Sequence, residues 1–89
     1  MGLRMQLVGI VGDFNPDNHT HQATNAGLTH AGVCFEWVPT TEVRPERPDE
    51  RLGCYDGIFI APSSPYQSME GALAAIRLAR ERGIPLVGT

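Results

Sequence analysis

At 89 residues the chain has room for one small domain, below the roughly 100–150 residues at which domains are commonest, so its core must be thin. Seven basic residues against ten acidic ones leave a net charge of −3 at pH 7, and without clustered positive charge the composition argues against a nucleic-acid partner. The two cysteines, Cys34 and Cys54, make neither a disulfide framework nor a CxxC redox or zinc pattern and read as small buried hydrophobes.

Residues 1–12, MGLRMQLVGIVG, hold an apolar run far shorter than the roughly 20 residues that span a bilayer. They carry no signal-peptide cleavage pattern. A cytoplasmic protein with no membrane association is expected. Within them residues 5–12 form a continuous apolar run closed by glycine, the pattern of a buried parallel strand. Residues 13–18, DFNPDN, are dense in turn and cap formers. From residue 20 to 31 the small residues Ala23, Ala26, Gly27 and Ala31 recur at helical spacing with Leu28, which predicts a helix that sits close on a sheet while burying little area.

Residues 33–39, VCFEWVP, alternate and are rich in β-branched and aromatic side chains, a second strand ended by proline. A polar loop from residue 40 to about 51, whose mixed-charge stretch 44–51 reads as solvated, leads to a short third strand at 58–61. After the loop of residues 62–66, Ser68 is placed to cap a helix. Its Met69, Ala72, Leu73, Ile76 and Ala79 line one face, and Leu78 falls opposite that stripe. Gly83 closes the helix, and residues 84–88 give a fourth strand.

This order predicts an α/β flavodoxin-like three-layer sandwich with a mainly parallel four-stranded sheet, order 2-1-3-4, and one helix on each face. Two strand-to-helix loops then open at the carboxyl edge of the sheet, where α/β proteins place their sites. The candidate groups there are Asp13, Asn15, Asp17, Asn18, His19 and His21 from one loop, and Ser63, Ser64 and Tyr66 from the other.

Gly9 and Gly12 lack the G-x-G-x-x-G spacing of a dinucleotide cradle, so no cofactor is expected. His19 and His21 are two apart and face different directions on a helix, so they read as solvated or capping residues rather than metal ligands; His30 near the helix end favours the dipole. Ser63 and Ser64 between a strand and a helix start either present backbone N–H groups to an anion or simply form a turn and cap. No Ser/His/Asp or Cys/His constellation is legible.

The stretches GIVGDFNPDN, ATNAGLTHAG and YDGIFIAPSSPYQSMEGALAAIRLARERGIPLVGT resemble, in order and spacing, the start of the class I glutamine amidotransferase domain of CTP synthase. They are most similar to the group described as CTP synthase C-terminal region-related (seleno)proteins. The resemblance covers nearly the whole chain and implies that residues 1–89 form the N-terminal half of such a domain. In that family a nucleophilic cysteine, selenocysteine in some members, follows the strand that ends in Gly-Thr. The resemblance therefore places the end of this chain one residue before the nucleophile, and termination at a selenocysteine codon is the expected reason.

For the complete domain the resemblance implies attack of a thiolate or selenolate on the side-chain amide of glutamine. Ammonia is released, with a downstream His and Glu as base and orienter. The family's oxyanion-loop Gly-Gly pair aligns with Ser63 and Ser64. The chain alone, without nucleophile, His and Glu, is expected to be inactive. The rival reading is a non-catalytic module of the same fold that binds a small amide or anion at Asn15, Asp17 and Tyr66, or serves assembly. In either case an open fourth-strand edge on so small a domain predicts a homodimer packed through the strand-four region, with Leu78 as an outlying contact.

Overall fold

The computed structural model describes residues 7–61 and 66–87. Its elements are β1 (Leu7–Val11), α1 (His19–His30), β2 (Cys34–Val38), a 3₁₀ turn (Thr40–Glu42), α2 (Asp49–Leu52), β3 (Gly57–Ile60), α3 (Met69–Arg82) and β4 (Leu86–Val87). The strands form one sheet in the order β2-β1-β3-β4, every pair parallel. This is the expected flavodoxin-like arrangement.

Register and the two-residue strand period decide which side chains share a face. Val11 pairs with Val38 and Ile60, and these three join Ile58, Ala74, Ala75, Leu78 and Ala79 in the main core, beneath α3. Ile10 pairs with Trp37 and Phe59, which belong to the opposite face, where His21 of α1 meets Trp37. The two long helices thus cover opposite faces, as expected.

Helix α3 starts where a cap is available: the Ser68 hydroxyl oxygen accepts the Gly71 N–H at 3.0 Å, satisfying one orphan donor of the first turn. It ends at Gly83, whose φ of 65° is the left-handed conformation that suits glycine. The Ile84 N–H then returns to the Ala79 carbonyl at 2.9 Å. The buried side of α3, however, is not the expected stripe. Gly71, Ala72, Ala74, Ala75, Leu78 and Ala79 are buried; Leu78 is only 5% exposed, while Met69 and Leu73 are 57% and 56% exposed. Leu78 is a core residue and unavailable as an outlying contact. The reason is Gly71: a Cβ there would overlap the Thr40 carbonyl oxygen, so backbone meets backbone on that side and rotates the helix toward it.

Three other expectations change. Residues 44–51 are unburied as expected, but the polar loop begins with the 3₁₀ turn and ends in α2, and Thr40, Val43 and the following Leu52 are buried, the last two extending the core under α3. The small-residue side of α1 is not applied to the sheet: Ala23, Ala26, Gly27 and Ala31 are exposed, and His21 is the helix's buried residue. A helix with so little apolar bulk is held by the one ring it buries, His21, and by the bond of Asn25 to Trp37. Cys34 is half-buried, but Cys54 is exposed in the turn before β3. Among the described residues no helix is long and apolar enough to cross a membrane.

Candidate functional site at the carboxyl edge of the sheet

The loops after β1 and β3 converge at one edge, and a single carboxylate ties them together. Asp13 Oδ1 accepts the Thr40 N–H at 3.0 Å. Its Oδ2 accepts the Thr40 hydroxyl at 2.7 Å and the Gln67 N–H at 2.8 Å. The Thr40 hydroxyl oxygen in turn accepts the Ser68 N–H at 2.9 Å. Burial pushes the Asp13 carboxyl up, but the bonds from the Gln67 N–H, the Thr40 hydroxyl and the Thr40 N–H outweigh it and hold the group below its ordinary value. One ionised side chain therefore joins the β1 loop, the 3₁₀ turn and the segment leading into α3.

That segment is closed by a second contact. The Tyr66 hydroxyl donates to the Ala61 carbonyl at 2.6 Å, so the chain leaves β3 at Ala61 and is clasped again five residues later. Burial, then the nearby Asp13 charge, raises the Tyr66 hydroxyl above its ordinary value, so it stays protonated and donating. Ser63 and Ser64, the expected oxyanion-loop residues, lie outside the described residues.

The other loop folds against the start of α1. Asn15 Oδ1 accepts the Asp17 N–H at 2.9 Å, an Asx turn. Asn18 caps the helix by accepting the Thr20 and His21 N–H groups at 2.9 and 3.2 Å. The Asn15 N–H donates to His21 Nδ1 at 3.1 Å. Asn15, Asp17 and His19 face solvent. His21, expected as a solvated or capping residue, is instead 0% exposed, with Phe14 and Trp37 rings 6.0 and 4.8 Å from its own. Trp37 is fixed by its indole N–H donating to Asn25 Oδ1 at 2.7 Å. With Nδ1 accepting, the neutral ring carries its proton on Nε2, and that buried atom has no hydrogen-bond partner.

Asn15, Asp17 and Tyr66 are thus brought to one edge, Tyr66 with its donor committed. The residues that hold the edge together are Asp13 and Thr40. Asp13 stands in the turn-rich loop after β1, but Thr40 was hidden in a stretch read as loop; the Pro39-Thr40 sequence closing β2 carries no motif.

Neither cysteine is at this edge. Cys34 is the first residue of β2 and Cys54 precedes β3, both at the amino end of the sheet. A concavity of about 230 Å³ lined by Val8, Leu28, Asp56, Phe59, Pro85 and Val87 also lies toward that end, on the α1 face. There α1 contributes Leu28 alone to the lining, and none of the lining residues belongs to the Asp13 cluster.

No family model matches the chain. It is similar to the CTP synthase of Staphylococcus epidermidis, 31% identical over 87 residues, covering 91% of this chain and 16% of that protein. The CTP synthase of Synechococcus sp. is 38% identical over 65 residues, covering 72% of the chain and 12% of the relative. That of Pelotomaculum thermopropionicum is 31% identical over 90 residues, covering 94% and 17%. The chain spans no more than about a sixth of the length of these relatives, and over that stretch it is related to CTP synthases.

Proposed function

We propose that this chain is the part of a CTP synthase-like glutamine amidotransferase module that frames the glutamine site, and that it does not itself carry the nucleophile. The observation that carries this reading is the Asp13–Thr40–Gln67–Ser68 network, which anchors the strand-to-helix loop beyond Ala61 from outside the loop. Acyl transfer from an amide needs N–H donors held where negative charge develops. The Tyr66 bond to Ala61 and the Asp13 bond to Gln67 fix the residues on either side of the place such donors would occupy. Asp13 is a positioning residue in this reading, and Ser63 and Ser64 supply the main-chain donors.

Glutamine hydrolysis further requires a thiolate or selenolate that attacks the amide carbon, and a base that delivers a proton to the departing ammonia. Cys34 and Cys54 stand at the wrong end of the sheet for the first role. The nucleophile therefore comes from residues other than those of this chain, and the chain alone releases no ammonia from glutamine.

A chimaera tests the reading: this chain replaces the matched 87 residues of the S. epidermidis CTP synthase, and CTP formation is followed with glutamine and, separately, with ammonium chloride as nitrogen source. Activity with both is expected. A chimaera that uses ammonium but not glutamine is folded yet lacks a glutamine site, and that result would overturn the proposal in favour of a non-catalytic binding module.

A further inference from the structure

Helix α3 is apolar on two sides. One side, with Gly71, Ala74, Ala75 and Leu78, is buried. The other is the stripe Met69, Leu73, Ile76, whose spacings of four and three place them on one line along the helix. Ile76 leans partly on the core, but Met69 and Leu73 are exposed. Strand β4 is an edge of the sheet. Its Leu86, in register with Ile58, lies on the α3 face and is also exposed. The outer side of α3 and the β4 edge thus present large apolar side chains left exposed among the described residues, which for so small a domain marks an interaction surface.

The charges beside the stripe decide its occupant. Glu70 stands three residues before Leu73 and Arg77 four after it, both exposed. A second α3 crossing antiparallel at Leu73 brings Glu70 of each copy opposite Arg77 of the other, so both pairs form together, as a two-fold contact requires. A parallel crossing would oppose Glu70 to Glu70 and Arg77 to Arg77. Arg77 now holds Glu81 at 3.6 Å and the Pro45 carbonyl at 2.7 Å; a surface pair of this kind is worth little and is readily exchanged. We propose that this stripe is the contact of an isologous homodimer, two α3 helices antiparallel with Leu73 at the two-fold axis. The proposal is independent of the glutamine reading, since none of these residues lies in the carboxyl-edge site.

Sedimentation equilibrium of the 89-residue chain over a wide concentration range tests it. A monomer–dimer equilibrium is expected. Leu73→Glu should weaken it by about tenfold to a hundredfold, the factor for removing a buried leucine, with an unchanged circular dichroism spectrum. Glu70→Arg alone and Arg77→Glu alone should each weaken the dimer, and the double exchange should restore it, because each copy then offers the same pairs reversed. A chain that stays monomeric to about millimolar concentration, where only very weak association escapes notice, would overturn the proposal. So would a dimer that ignores Leu73→Glu but is lost on Val87→Asp, which lies on the opposite face, or a double exchange that is weaker than either single change.

Discussion

If Asp13 is what holds the carboxyl edge together, its removal should be felt far beyond one side chain. Asp13→Ala deletes the acceptor of three hydrogen bonds and leaves the N–H of Thr40, a residue with no solvent exposure, without a partner. Bonds to a charged acceptor contribute about 1.5–3 kcal/mol each, and an orphaned buried donor costs about 1–3 kcal/mol. Because Gln67 is exposed and can turn to water, and because such terms do not add, a net loss of about 2–4 kcal/mol is expected. Against the roughly 5–10 kcal/mol of a domain this size, that lowers the urea midpoint by about 1–3 M. Asp13→Asn should fare little better, since whichever way the amide turns, an NH₂ group faces a main-chain N–H.

Paired with Thr40→Val in a double-mutant cycle, Asp13→Ala should show a coupling of about 1–2 kcal/mol, as expected of residues sharing one network. The pH dependence supplies an independent check. The folded-state value of Asp13 is depressed, so its contribution is fully present above the ordinary carboxyl range, near 3.8, and is lost as pH falls through the lowered folded value. The gap between wild type and Asp13→Asn should therefore be flat at neutral pH and close in strong acid. A cost below about 0.5 kcal/mol, within the range of an ordinary surface change, or a gap that widens on acidification, would refute the assignment of Asp13 as anchor.

Glycine substitutions in the two long helices should have opposite signs. Gly71→Ala drives a methyl into the Thr40 carbonyl oxygen and is expected to cost about 2 kcal/mol or more despite a gain of about 1 kcal/mol in helix propensity, whereas Gly27→Ala, with nothing within 4 Å of the new methyl, should stabilise by about 0.5–1 kcal/mol; equal effects in urea melts would show that the α3 approach is not tight. His21→Leu removes a buried ring yet also removes an unpartnered donor: against the lost Asn15 bond and ring contacts, the relief of about 1–3 kcal/mol should leave stability within about 1 kcal/mol of wild type. A loss above about 3 kcal/mol, the scale of a core truncation, would mean that Nε2 has an acceptor after all.

The sheet order was legible because three strands are short apolar runs, β2 alternates around Glu36, and crossover rules leave few ways to arrange four of them. The burial of α3 was not, and the reason is specific to its composition. With Ala72, Ala74, Ala75 and Ala79 spread around the helix, apolar spacing marks two stripes and does not say which meets the sheet; Leu73 and Leu78 exchange places depending on one backbone contact at Gly71. The 40–52 segment misled for a related reason. Its arginines, glutamates and prolines dominate its composition, while the three residues that matter, Thr40, Val43 and Leu52, are too sparse to give a period. The edge at which the loops after β1 and β3 open was readable from topology, but Asp13 and Thr40 meet across 27 residues. No local pattern encodes such a pairing.

These particulars make one physical point about how stability is distributed. The main core lies between α3, the 3₁₀ turn, α2 and the middle of the sheet, and at the carboxyl edge it is roofed by the bonds of Asp13, Thr40 and Tyr66. At the β4 side the chain presents Leu73, Leu86 and Val87 to solvent, and only two strand residues, Leu86 and Val87, pair with β3. Elements with few buried contacts open at a small fraction of the global free energy. Among the described residues the Asp13–Thr40 junction with Gln67 and Ser68 is therefore the firmly held end and β4 the soft one.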